Sequence, residues 1–180
     1  SIIAGGGTLC AMHFHILHVN KTFLPFISGL SSRIGNIVNH VLSIEQHSVI
    51  AFDAGPGVPA IDCIEGIRLR RFPAFTEANL KRFLYFGPQG EKSLTSVVNY
   101  IRSQKPTCIG VYDLLTLPAF VCEALPEARM VVFPILFCPE ICRRSVISGR
   151  VKIGLFGDGC LKDYLEAGIP RQQIHILERP

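Results

Sequence analysis

The sequence predicts an α/β fold, a doubly wound and mostly parallel sheet with helices on both faces. Three observations predict it. Short apolar runs alternate along the chain with stretches of helical periodicity, the connections between them are short, and glycine or proline marks most boundaries. Strands alternating with helices in this way build a parallel sheet through right-handed crossovers.

Residues 1–11, SIIAGGGTLCA, precede the first strand pattern and are expected to be a flexible leader or an expression remnant, so the domain runs from 12 to 180. Gly5–Gly7 do not read as a phosphate loop, because no strand precedes them and neither a helix nor Gly-Lys-Ser/Thr follows. His13–Asn20 (HFHILHVN) reads as a buried strand. Leu30–Leu42 sets Leu30, Ile34, Ile37, Val38, Val41 and Leu42 on one helical stripe, with Ser28 or Ser31 to cap its start. His47–Asp53 is a second strand, closed by Gly55-Pro56-Gly57, and Gly66–Phe72 a third with one polar face.

Glu91–Gln104 is helical, with Leu94, Val97, Val98 and Ile101 on one side. Lys105-Pro106 ends it, since proline disfavours helical geometry in the residue before it. Thr107–Asp113 is a strand, Leu117–Leu125 a helix and Arg129–Phe133 a strand; after a proline-marked irregular stretch comes the strand Val151–Phe156. Asp158 is expected to cap a helix from Gly159 to Ala167, with Gly168 at its stop and Pro170 beyond. Gln173–Leu177 is the last strand.

With 180 residues, one domain can bury a substantial core without covalent staples. Hydrophobic residues at 48% against 18% charged exclude a disordered chain. The net charge of +4 suits an anionic ligand or a membrane surface and does not make a nucleic-acid case. No apolar run reaches the roughly 18–20 residues of a membrane span, and no signal-peptide pattern opens the chain. Seven cysteines without a CxxC pair, mostly inside apolar stretches, fit a reducing cytosol. No metal is expected. His13 and His15 share a strand face while His18 points the other way, and Cys138 and Cys142 lack two further ligands.

Three segments together carry a family resemblance: HFHILHVNKTFLPFISGLSSRIGNIVNHV (13–41), KPTCIGVYDLLTLPAF (105–120) and IGLFGDGCLKDYLEAGIPRQQIHILERP (153–180). In order and spacing they resemble the first domain of family 4 glycosyltransferases of the GT-B type. The resemblance implies two Rossmann-like domains facing across a cleft, of which this chain supplies the N-terminal, acceptor-side one. The absent C-terminal domain would bind a nucleotide-sugar, the co-substrate of the complete enzyme, and no cofactor is expected on this half. The implied reaction moves a sugar from that donor to a hydroxyl acceptor, a saccharide or a lipid-linked one, in the cytoplasm. The isolated chain is expected to be inactive. The alternative is a non-catalytic Rossmann-like binding or interaction module. A dinucleotide oxidoreductase ranks below both, because GxGxxG is missing after the first strand and Asp53 is the only acidic candidate.

In such sheets ligands bind at the carboxyl ends of the strands, where the strand order reverses. The loop Lys21–Ser31 leaves the first strand there and enters a helix, so its backbone N–H groups and the helix dipole favour an anion. Ser28, Gly29, Lys21 and Arg33 are the candidates, with Ser28-Gly29 standing where the family has two glycines. Tyr112 stands where the family often has histidine; a phenol of pKa about 10 is a poor base at neutral pH but can donate a hydrogen bond. Asp113 either caps the following helix or meets a ligand hydroxyl. An exposed apolar patch is expected near Phe23, Phe26 and Leu115. Between 68 and 86, Arg68, Arg70, Arg71, Lys81 and Arg82 interleave with Phe72, Phe75, Phe83, Tyr85 and Phe86. Arg70, Arg71, Lys81, Arg82 and Phe83 are the candidates for peripheral contact with an anionic inner membrane face, against ordinary packing with a solvated rim.

Overall fold

The computed structural model describes residues 14–21, 23, 32, 34–35, 45–52, 57–72, 88–112, 114, 117–134, 143, 146 and 150–177, with backbone alone at 45 and 88–93. The strands are β1 (Phe14–Asn20), β2 (Glu45–Ala51), β3 (Ile61–Ile64), β4 (Ile67–Arg71), β5 (Cys108–Tyr112), β6 (Met130–Phe133), β7 (Val151–Leu155) and β8 (Ile174–Ile176). They form one sheet in the order β3-β4-β2-β1-β5-β6-β7-β8. Every neighbouring pair is parallel except β3–β4. The chain therefore winds outward from β1 through β2 to β4, crosses back to β5 beside β1, and winds outward again. This is the doubly wound, Rossmann-like α/β layer that the alternation of periods predicts.

The helices with described bounds are α1 (Pro88–Gln104), α2 (Leu117–Ala124) and α3 (Leu161–Glu166), with a 3₁₀ turn at Arg171–Gln173. Side-chain alternation gives each strand two faces. On one face Leu17, Val19, Ile50, Phe52, Val111 and Ile153 join Val97 and Ile101 of α1, Val121 of α2 and Tyr164 of α3 in the main core. On the other face Val49, Ala51, Ile67, Leu69 and Tyr112 cluster with Phe23 and Ile34. Residues 32, 34 and 35 are helical, and the rest of the expected helix Leu30–Leu42 lies outside the described residues.

Local chemistry sets the element ends. Proline opens α1, where its missing N–H costs nothing, and Lys105 leaves the helix at φ 46° just before Pro106. At the end of α3, Gly168 takes φ 84°. Its N–H donates to the Leu165 carbonyl (2.9 Å) and the Ile169 N–H to the Tyr164 carbonyl (3.2 Å), while Tyr164 and Ile169 are both buried. That is a Schellman stop with its apolar clasp.

Two expectations need correction. Asp158 does not cap α3: the cap residue is Cys160, no side chain bonds there, and Asp158 offers only its backbone carbonyl, to the Leu161 N–H at 2.9 Å. The antiparallel strand β3 was not expected at all. It folds back on β4 through Glu65-Gly66, both at positive φ (52° and 82°), the turn geometry that matches strand twist in a two-residue hairpin.

Candidate functional site

β1 and β5 are neighbours in the sheet although their sequences lie far apart, so their carboxyl ends flank the point where the winding reverses. Reciprocal bonds hold the pair in register: the Thr107 N–H donates to the His15 carbonyl (2.8 Å), and the His15 N–H to the Thr107 hydroxyl (3.1 Å). At the end of β1, buried Asn20 accepts the Lys21 N–H on Oδ1 (2.8 Å), and the Lys21 carbonyl accepts the Phe52 N–H (3.0 Å). These bonds fix the end of β1 beside the end of β2 and leave Lys21 half-buried at the edge.

Beneath that edge lies a row of rings. His47 of β2 and His18 of β1 stack with centroids 5.3 Å apart, and His18 sits 5.9 Å from Tyr112 of β5. Tyr112 stacks on Phe133 of β6 (4.9 Å), and Phe133 on Phe156, just past β7 (5.6 Å). Two strand glycines make room. A Cβ on Gly154 would stand 2.5 Å from the Phe133 ring, and one on Gly110 3.3 Å from the Tyr112 ring.

The row is also wired by hydrogen bonds. The Tyr112 hydroxyl lies 3.0 Å from His18 Nδ1, and His18 Nε2 lies 3.0 Å from His47 Nδ1. A consistent set of neutral forms has the phenol donating to Nδ1 of His18 and Nε2–H of His18 donating to His47. Burial favours those neutral forms: it holds His18 down at about 3, helped by the neighbouring His47, and pushes the Tyr112 phenol well above its ordinary value. On the opposite face His15 bonds the Ser48 hydroxyl (2.7 Å) and is likewise held low by burial.

The structure places the sequence candidates as follows. Lys21 is at the switch-point edge. Tyr112 is at the end of β5, but at 1% exposure its hydroxyl is directed to His18, so it supports the edge from below and is not a direct donor to ligand. Ser28, Gly29, Arg33 and Asp113, like Lys81, Arg82 and Phe83, lie outside the described residues. Arg71 is a correction. Its side chain is fully buried, with Nη1 donating to the Pro59 carbonyl (2.9 Å) and paired with Asp62 (3.5 Å), so it faces no membrane. Arg70 is half-buried with its guanidinium 5.5 Å from the Phe72 ring centroid, and Phe72 itself belongs to the core. Phe23 is also corrected: it is fully buried, not part of an exposed patch. Phe26 and Leu115 lie outside the described residues. Sequence reasoning missed His18 as the partner of Tyr112 and His47 as the partner of His18, because the contacts span 94 and 29 residues. The available signal was a histidine at an inward position of an apolar strand.

No protein-family model and no curated protein matches the sequence. Solved structures do. Sucrose-phosphate synthase from Thermosynechococcus elongatus is similar over 91% of this chain and 47% of its own, with TM-score 0.63 and 10% identity. The N-terminal domain of Candida albicans trehalose-6-phosphate phosphatase covers 92% of this chain and 44% of its own, at TM-score 0.57 and 17% identity. An E. coli trehalose-6-phosphate structure bound with UDP-2-fluoro glucose covers 85% and 42%, at TM-score 0.53 and 14% identity. These likenesses show the fold, a Rossmann-like α/β layer that this chain shares with the three structures. It spans less than half the length of each of these three structures.

Proposed function

We propose that the chain is the N-terminal, acceptor-side domain of a family 4-like GT-B glycosyltransferase, moving a sugar from a nucleotide-sugar to a hydroxyl acceptor in the cytoplasm. The observation that carries this reading is the switch point. β1 and β5 end side by side there, the Asn20 side chain holds the Lys21 N–H, and Lys21 stands at the edge where open α/β sheets bind ligands. The loop beyond Lys21, with Ser28, Gly29 and Arg33, would take the anionic part of the ligand, and Asp113 a sugar hydroxyl. The phosphorylated disaccharides in the names of the structural neighbours favour a saccharide acceptor. Should the acceptor be lipid-linked, Arg70, Lys81, Arg82 and Phe83 are the residues to meet the membrane. Among the described residues, no helix is long and apolar enough to cross one.

Two-domain catalysis of this kind needs both halves closed around the donor. The isolated chain is therefore expected to show no sugar transfer and no nucleotide-sugar hydrolysis, and co-expression with a donor-binding Rossmann-like domain is expected to restore transfer. Robust turnover by the isolated chain would overturn the reading. A second reading, a non-catalytic binding module, is favoured by one observation: the Tyr112 hydroxyl is committed to His18 and is not presented at the edge. Ligand binding without transfer, even beside a donor domain, would select it.

A further inference from the structure

At the opposite, amino-terminal edge of the sheet, β5, β6 and β7 open onto a cavity of about 520 Å³ whose lining includes Cys108, Glu127, Arg129, Val131, Arg150 and Lys152. The register explains why these residues converge. Ile109 pairs with Met130 and Met130 with Val151, so Cys108, Arg129 and Arg150 stand side by side at the heads of three adjacent strands. Val131 pairs with Lys152 one step further along the same face. Adjacent strands lie about 4.8 Å apart, so the cations crowd into a small patch.

Like charges placed side by side repel, and the backbone fixes them there. The Arg129 carbonyl accepts the Ile109 N–H (2.9 Å), and the Arg150 carbonyl the Met130 N–H (3.5 Å). Lys152 Nζ is tethered to the Gln172 carbonyl (3.3 Å). Three cations against the one carboxylate of Glu127 leave two positive charges in the lining. Among the described residues neither Arg129 nor Arg150 forms an ion pair, and both are exposed. Cys108 and Val131, both half-buried, give the cavity a less polar floor.

We propose that this amino-edge cavity binds a phosphate monoester, with the phosphate between Arg129 and Arg150 and the body of the ligand on Val131 and Cys108. Two guanidinium forks match phosphate oxygens better than any neutral ligand. The cavity volume lies in the range of small-molecule sites, about 300–1,000 Å³, which leaves room for more than the phosphate itself. The site lies across the sheet from the switch point and does not depend on the glycosyltransferase reading.

The test is amide chemical-shift mapping on the full chain, with glucose 6-phosphate, inorganic phosphate and glucose as separate titrants. Vesicles of phosphatidylcholine with and without phosphatidic acid form a second arm, to separate a soluble ester from a lipid headgroup. Glucose 6-phosphate or phosphatidic acid is expected to shift the amides of Arg129, Arg150 and Lys152 in a salt-sensitive way, with glucose inert. The paired variant Arg129→Gln, Arg150→Gln is expected to weaken that binding by about tenfold or more, as loss of charge-assisted bonds would. Both positions are exposed, so an unchanged unfolding temperature will certify the variant, and Lys162→Gln on α3 is the control expected to bind normally. A response to glucose equal to that of its phosphate, no shift at these amides with either ester, or binding untouched in the paired variant would each overturn the proposal.

Discussion

On one face of the sheet, Leu17, Val19, Ile50, Phe52, Val111 and Ile153 pack against the apolar sides of α1 and α2; on the other, neighbouring positions of the same strands hold His18, His47, Tyr112 and Phe133. The first face is stabilised by undirected burial, and apolar residues of similar volume could replace one another there at modest cost. The second face is directional. Its polar atoms need particular partners, its rings need two glycines beside them, and burial holds its His18 neutral. The contrast teaches that the first face holds the fold, while the second fixes the floor of the switch-point edge.

The sharpest way to break this contrast is to damage each face in turn. Leu17→Ala, on the apolar face and fully buried, is expected to cost about 2–5 kcal/mol in urea unfolding. It should leave the geometry of the edge intact in the molecules that remain folded. A loss below about 1 kcal/mol, within the range of single-methyl Ile→Val truncations, would mean the main core is looser than its burial implies.

Acidification is expected to act on the ring face. The pKa of His18 falls from 6.5 to about 3 on folding, so the unfolded chain binds a proton that the folded chain refuses. Its contribution is complete above pH 6.5 and is lost as the pH falls toward 3, at up to roughly 1.4 kcal/mol per pH unit. His15, also held low by burial, adds to the same slope. Denaturant unfolding at a series of pH values should show this decline, and His18→Gln should flatten most of it. A wild-type stability independent of pH between 6.5 and 4.5 would refute a neutral His18.

Two substitutions then probe the floor itself. Tyr112→Phe keeps the stack on Phe133 but leaves His18 Nδ1 without its partner, at an expected cost of about 1–3 kcal/mol. Gly154→Ala forces the Phe133 ring aside and is expected to cost about 1–3 kcal/mol by overpacking, more than Gly110→Ala with its looser 3.3 Å contact. The reverse order of the two glycine variants would show that the ring row is not packed as described.

The smallest expected effect concerns the basic–aromatic run. Arg71→Met should lower stability yet leave sedimentation with anionic vesicles unchanged, because the guanidinium is bonded to Pro59 and Asp62 inside the protein. Reduced sedimentation at equal stability would return Arg71 to the surface.

What could be read from the sequence is what local chemistry encodes. Lys105-Pro106 and Gly168 end their helices because proline and positive φ act within a turn. The strands were legible from unbroken apolar runs such as CIGV in β5, which both faces of a parallel sheet require. β3 was hidden because four residues, two of them exposed, gain strand character only from pairing with β4. Arg71 shares the strand parity of Ile67 and Leu69, which pointed inward, but its partners come from β3 and the chain just before it. The switch-point edge was named from the glycine and basic residues that follow the first strand in the sequence. The ring row beneath that edge joins five separated segments, and its one local trace is a histidine at an inward position of an apolar strand.

The central claim is that ligand binds over this floor, at the carboxyl ends of β1 and β5. The most direct measurement is a titration of the isotope-labelled chain, carrying Arg129→Gln and Arg150→Gln to silence the amino edge, with glucose 6-phosphate as a phosphorylated saccharide acceptor, following backbone amides. The account predicts weak, saturable shifts centred on Asn20, Lys21 and Tyr112. Saturable shifts confined to other parts of the sheet, or none at any ligand concentration, would contradict it.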